Sequence, residues 1–289
     1  MTLRQAQGTV WRQVRSMTAW TRVCAGVLII VVGAALLAGV VSPFDPDRTV
    51  LTSRNALPIF LDPTSAHLLG ADGIGRDTLS RTLHGTRTSL LIAAVGLIVG
   101  SLVGLTLGLT AGFFGGVWDR LVMLAVNFQQ SVPLTLLILV GLVMFGRGIG
   151  VLMIFIGLAR WETYARVIRG LVLSAREQPF VDAARSYGAP PVRIILRHVL
   201  PNTVSYYIVL MVLSFPPVML LESALSFIGI GVQPPTATLG QMIGEGRTYL
   251  ATNPWSSMVP SAVLVLMAYC VHVIGEWLRS RVQVRFADR

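Results

Sequence analysis

Residues of the kinds that hold metals or act as nucleophiles are spread thinly through these 289 residues. His67, His84, His198 and His272 pair neither with one another nor with cysteine at metal-ligand spacing, so no metal centre is expected. Cys24 and Cys270 each lie in an apolar run and read as small packing residues, not as a disulfide framework. All 23 basic residues are Arg. Without Lys there is no P-loop, in which a Lys must reach the phosphates, and no Schiff-base chemistry. No Ser/His or His/Asp/Glu constellation offers nucleophilic or acid–base catalysis. The chain therefore reads as a non-enzyme. What remains is Glu222, a lone acid inside a long apolar run, and an intramembrane acid is a candidate functional residue. Pro216 and Pro217 should interrupt the helix just before it. Broken backbone within a bilayer is tolerated only against protein or a water-filled cavity. Ser214, Pro216, Pro217 and Glu222 are accordingly candidates for a substrate pathway, although Glu222 equally fits an interfacial place, bonded to backbone or to an Arg.

The elements that would position these residues are membrane helices. Hydrophobic residues make up 54% and charged residues 12%, and the mean hydropathy is +0.70. A soluble domain carries roughly 25% charged residues, so water is not the solvent for most of this surface. About twenty apolar residues cross a bilayer, and six runs qualify: residues 23–41, 89–114, 121–145, 149–173, 203–225 and 259–278. The fourth is interrupted by Arg160, Glu162, Arg166 and Arg169. The first follows four Arg with no acid, like the start of a signal peptide, but is long for one. Placing both termini in the cytoplasm puts 16 Arg inside and 7 outside, as the positive-inside rule requires. The organisation expected is a cytoplasmic tail (1–22), a first transmembrane helix (23–41), an extracytoplasmic segment (42–88), a core of five further spans with a cytoplasmic loop at 174–201 (89–278), and a cytoplasmic tail (279–289). The net charge of +10 comes from dispersed Arg and does not argue for nucleic acid.

Two stretches carry a pattern beyond hydropathy. Gly96, Gly100, Gly104, Gly108 and Gly112 recur every four residues and form a groove for close helix packing. Residues 176–202 are polar and basic between two apolar runs. Pro179 suits a first helical turn. Val181, Ala184 and Tyr187 share a face, and Gly188 suits a left-handed C′ position. Pro190-Pro191 stops that helix, and another begins at 192. A helix–hinge–helix in a membrane protein's loop asks for a partner to receive it.

The spacing of Asp182-Ala183-Ala184, three residues, Gly188, nine residues, then His198-Val199-Leu200-Pro201 resembles the EAA loop of ABC importer permeases. Asp replaces the usual Glu, and the His is familiar in the dipeptide/oligopeptide/nickel class. HLLGADGIGRDTLSRTLHGTRTSL, from His67, and LSFIGIGVQPPTATLGQMIGEGRTYL, from Leu225, resemble two further signatures of that class. Asn127 stands where the family usually has Asp, and Leu124 where it often has Arg. The resemblance implies an all-α integral membrane protein with six transmembrane helices, in the type I, MetI-like permease architecture. It implies a bacterial inner-membrane location, alternating access, and import of peptides, nickel or a related small solute. Val181, Asp182, Ala183, Ala184, Tyr187, Gly188, Leu200 and Pro201 would then form the loop that couples to an ATPase. The implied partners are a second, homologous permease, two ABC ATPase subunits carrying ATP and Mg, an extracytoplasmic substrate-binding protein, and membrane lipid. The competing class is a secondary transporter or channel, which would want paired acids or broken helices in repeated halves.

Overall fold

The computed structural model describes the backbone of residues 17–287 and the side chains of residues 17–282. Most of the N-terminal tail and the end of the C-terminal tail, expected in the cytoplasm, lie outside the described residues. Among those described, the chain is helical with no strand beyond one isolated bridge between Ala71 and Asp77. Helix α1 is Ala19–Leu36 and α2 the short Ala38–Val41. An irregular segment then leads to α3, Thr78–Phe114. At 1.5 Å per residue its 37 residues reach about 55 Å, so it begins well outside any bilayer. α4 is Gly116–Ser131, α5 Leu134–Phe145, α6 Ile149–Leu158 and α7 Trp161–Arg176. The short α8, Pro179–Ser186, and α9, Pro191–Ile194, precede a π-helical turn over Ile195–Val199 that runs into α10, Leu200–Phe227. α11 is Leu239–Gly246 and α12 Trp255–Ala287.

By length and composition, α1, α3, the continuous stretch Pro191–Phe227 and α12 can each cross a membrane. The other two expected spans are broken. α4 and α5 meet at 93°. Val132, at φ −101° and ψ 132°, takes the extended backbone that a residue before proline prefers, and Pro133 begins the new direction. The fourth run, 149–173, divides into α6 and α7 where Arg160 leaves helical geometry at φ −124° and ψ 1°. The sequence expectation of one continuous span for 121–145 is therefore corrected to a bent pair, and 149–173 divides at the first of the charges that interrupt it.

The expected interruption at Pro216-Pro217 is absent: α10 runs through both prolines. Each proline removes one N–H from the ladder, and packing against α3 and α12 holds the helix across the gap. Pro201 does perturb its helix. Its ring cannot lie against a carbonyl four residues back, and the π turn immediately precedes it. The amide Nδ2 of Asn202 donates to the His198 carbonyl at 2.7 Å, a bond that the widened turn would otherwise lose.

The core is organised on the glycine face of α3. All five glycines are buried. A Cβ at Gly100 would lie 2.5 Å from the Gly157 carbonyl oxygen, and one at Gly108 would lie 2.6 Å from that of Ala165. Gly96 faces Ile156, Gly104 faces Trp161 and Tyr164, and Gly112 faces Arg169 and Val172. The stripe is thus filled by α6 and α7 of the same chain. Gly104→Leu should force α3 from α7 and lower the melting temperature of the purified assembly, by about 1–3 kcal/mol of overpacking. Gly26→Leu on α1, where nothing lies within 4 Å, is the comparison. Equal melting temperatures for the two variants would show that the close approach is not required.

Candidate functional site

The loop 177–190 lies at the end of the bundle where α3 finishes. Arg176 Nη1 donates to the Gly112 carbonyl at 3.1 Å and fixes the end of α7 to the end of α3. Arg169 clamps Asp119 of α4 with two hydrogen bonds, one of them 2.6 Å from Nη2. Arg166 Nη2 donates to Asn127 Oδ1 at 2.9 Å, so the residue that departs from the family pattern still serves as an acceptor.

From that base α8 projects. Gly188 has φ +73°, as its place after the helix requires. The Gly188 N–H donates to the Arg185 carbonyl at 2.9 Å and the Ala189 N–H to that of Ala184 at 3.1 Å, the paired bonds of a Schellman cap. Val181 is fully buried and Ala184 packs on the core. The Phe180 ring lies 6.4 Å from that of His198, and the Arg185 guanidinium sits 5.7 Å from the centre of Phe113. Asp182 and Ala183 are exposed, and Tyr187 is 91% exposed. The expected docking set thus divides. Val181 and Ala184 face the chain's own interior, together with the partly buried Leu200, whereas Asp182, Ala183, Tyr187 and Gly188 point outward. Tyr187 does not share the buried face that its spacing predicts, because the helix ends at Ser186.

The pathway candidates on α10 are turned inward. Glu222 is fully buried. Its carboxyl accepts from Ser226 Oγ at 2.8 Å and Ser223 Oγ at 3.3 Å, and the hydroxyls of Ser89 and Thr238 face it too. Ser89 Oγ in turn accepts from the Leu239 N–H at 3.2 Å. Glu222 therefore fastens α10 to α3 and to the start of α11. Ser214 is buried against Tyr164, Pro216 is buried, and only Pro217 is exposed.

At the opposite end, residues 42–77 and 228–254 form one joined cap. Asp77 caps α3, accepting from the Ser80 N–H at 2.8 Å, and pairs with His67 at 2.8 Å. Asp77 and Arg81, one turn apart, form no ion pair with each other, and Arg81 is fully buried. Its guanidinium lies 3.6–3.7 Å from Asp47, Asp72 and Glu245. Arg76 binds Asp72 at 2.6 Å and Glu245 at 2.7 Å, and Asn253 donates to the Ala71 carbonyl at 2.7 Å. Arg is suited to such shared pairing because its planar fork serves several oxygens at once.

The composition of residues 121–173 does not single out one feature of the structure. The breaks α4/α5 and α6/α7 lie side by side. Gln129 Nε2 donates to the Leu158 carbonyl and to Glu162, each at 3.2 Å, and Trp161 Nε1 donates to Gln129 Oε1 at 2.5 Å. A groove of about 440 Å³ opens there. The sequence signal was present in Pro133 and in the charges at 160 and 162, but neither locates one break beside the other.

A bundle of long apolar helices, bent spans, a capped loop at one end and an ion-paired cap at the other defines a multi-pass membrane subunit of the kind that carries solutes. Residues 104–284 match the family described as binding-protein-dependent transport system inner membrane component, and the chain belongs to that family. It is 35% identical over 275 residues to the oligopeptide transport system permease protein OppC of Escherichia coli, covering 94% of this chain and 90% of that one. It is 32% identical over 255 residues to the dipeptide transport system permease protein DppC of Bacillus subtilis, covering 88% and 78%. The similarity to OppC of Haemophilus influenzae is 32% over 238 residues, covering 82% and 76%.

Removing Glu245 leaves Arg81 buried with fewer countercharges. Glu245→Ala should destabilise the cap by about 1–3 kcal/mol, less than a fully buried pair because the Glu245 side chain is 35% exposed. The readouts are melting temperature and protease cleavage within residues 42–77, with Asp62→Asn, at a half-buried residue whose carboxyl bonds only Thr64, as comparison. Unchanged cleavage and melting would show that the two segments hold together without these charges.

Proposed function

We propose that this chain is one permease of an ATP-driven importer of peptides, and that α8 with its Gly188 cap is the element through which a separate ATPase drives it. The observation that carries the reading is the division of α8. A short helix rooted by Val181 and Ala184 presents Asp182, Ala183 and Tyr187 beyond the bundle. An exposed aromatic next to a small residue on a rigid helix is the arrangement by which a helix seats in a groove. The names of the OppC and DppC relatives favour peptides over nickel as the cargo. The assembly proposed contains a second, homologous permease, two ATPase subunits that bind ATP and Mg, and an extracytoplasmic binding protein, which meets the cap built from residues 42–77 and 228–254. Both termini and α8 lie in the cytoplasm on this reading, as the distribution of Arg favours.

Orientation is tested by single cysteines at Phe60 and Arg185 in a background without Cys24 and Cys270, labelled from outside with an impermeant reagent. Position 60 should react and 185 should not, and the reverse pattern would invert the topology. Coupling is tested by Ala183→Trp and Gly188→Val. The first places bulk on the outward face, and the second puts a β-branched residue at positive φ, where only strain and no neighbour opposes it. Both variants should reach the membrane at normal level yet co-purify less ATPase and import less peptide. A penalty of about 1–3 kcal/mol corresponds to roughly 5–150-fold weaker association. Normal association and uptake in both would reduce α8 to a connector.

A further inference from the structure

With the end of α3 at Phe114 taken as the membrane edge, the two broken spans meet at mid-depth. Trp161 begins α7 against Gly104, ten residues before the end of α3 at Phe114. Ten helical residues span about 15 Å, half of a hydrocarbon core about 30 Å thick. Irregular backbone at that depth persists only where protein covers it or water fills a cavity beside it. This chain does not cover it. Gln130, Ser131 and Pro133 are exposed beside the break, and the groove between the two breaks is lined by Gln129, Gln130, Arg160 and Glu162. Its position also differs from that of the sealed Glu222, whose hydroxyl partners leave it no open face.

The polar groups of this groove are not equivalent. Glu162 is buried and occupied, accepting from Gln129 at 3.2 Å and from Thr163 at 2.8 Å. Gln129 is committed to Trp161, Glu162 and the Leu158 carbonyl. Arg160 is half-buried and has no ion pair among the described residues. It stands at the N-terminal end of the 16-residue α7, where the helix dipole adds positive potential. A guanidinium there suits a carboxylate, and the exposed amide of Gln130 suits a peptide group, which needs one donor and one acceptor.

We propose that the groove at the paired helix breaks is where this chain meets its cargo in transit, with Arg160 receiving the C-terminal carboxylate of a peptide and Gln130 a backbone amide. The proposal rests on the reading of the chain as a peptide permease and places the contact on α4 and α7 instead of α10.

Two measurements on the full assembly in vesicles, with partner permease, ATPases and binding protein, test it. In a background lacking Cys24 and Cys270, Gln130→Cys and Ser131→Cys should react with a charged thiol reagent about tenfold faster than Ile29→Cys on the exposed face of α1, as water access at the groove requires. Saturating peptide should slow that reaction. Arg160→Gln should lower uptake of a free-carboxylate tripeptide about tenfold, the worth of one charge-assisted hydrogen bond. The loss should be smaller, about threefold or less, for a C-amidated tripeptide that the wild-type assembly imports, since its neutral carbonyl forfeits a hydrogen bond from the cation but no ion pair. Arg160→Lys should restore part of the difference. Unreactive cysteines at 130 and 131, or equal losses for both tripeptides, would overturn the proposal. A wild-type assembly that imports neither tripeptide would instead overturn the peptide-permease reading, and the labelling would still decide whether the groove holds water.

Discussion

Backbone contact between α3 and α7 is the constraint on which the rest of this bundle depends. Lipid tails are as apolar as leucine, so burying apolar side chains gives membrane helices little reason to associate. Close approach of backbones, which multiplies dispersion contacts, takes that place. The five glycines of α3 permit it over four turns, and at Gly100 and Gly157 small residues meet from both sides. Once α7 is laid along α3, Arg176 reaches the Gly112 carbonyl and Arg169 reaches Asp119, so the same contact brings α4 into place. The two breaks then have no freedom to drift apart, because Arg169–Asp119, Arg166–Asn127 and Trp161–Gln129 tie α7 to α4 along the way to them.

The ends of the molecule use a different physics. At the capped end, charge does the fastening: Arg76 and Arg81 share Asp72 and Glu245, residues separated by more than 150 positions. Arg81 tolerates complete burial only because three carboxylates surround it. At the other end, α8 is held by packing and one backbone cap, with its charged residues left to solvent. One end resists separation of its two segments, and the other leaves the outward face of a short helix open.

Much of this was legible in the residues, and the failures have physical causes. Helical period and local stereochemistry read true: the glycine stripe faces a helix, Gly188 takes positive φ, and Pro179 opens α8. These depend on neighbours within a turn or two. Burial direction was less legible, because Val181, Ala184 and Tyr187 share a face only while the helix continues, and it stops at Ser186. Proline was read in the wrong place. Pro216 and Pro217 lie in a helix gripped on two sides, whereas Pro133 follows an extended Val132 and turns the chain through a right angle. Arg81 pairs not with Asp77 one turn away but with acids at 47, 72 and 245, a choice no local pattern encodes.

The same geometry links the two places where the chain can meet other molecules. α7 carries Glu162 in its first turn, follows Arg160 at that end, and leads directly into α8 at the other, with only Glu177 and Gln178 between. Its 16 residues span about 24 Å. A helix clamped along its length by backbone contact cannot bend to absorb a displacement, so a push on α8 has two outlets. It can move α3 and α7 together as one body, or it can be taken up at the junctions where helical geometry already fails. Those junctions are Gly188 on one side of α8 and the breaks at Val132 and Arg160 at the far end of the strut. On the proposed reading, force from an ATPase therefore arrives where the backbone is irregular and the groove is polar, and the sealed Glu222 stays within the body that moves.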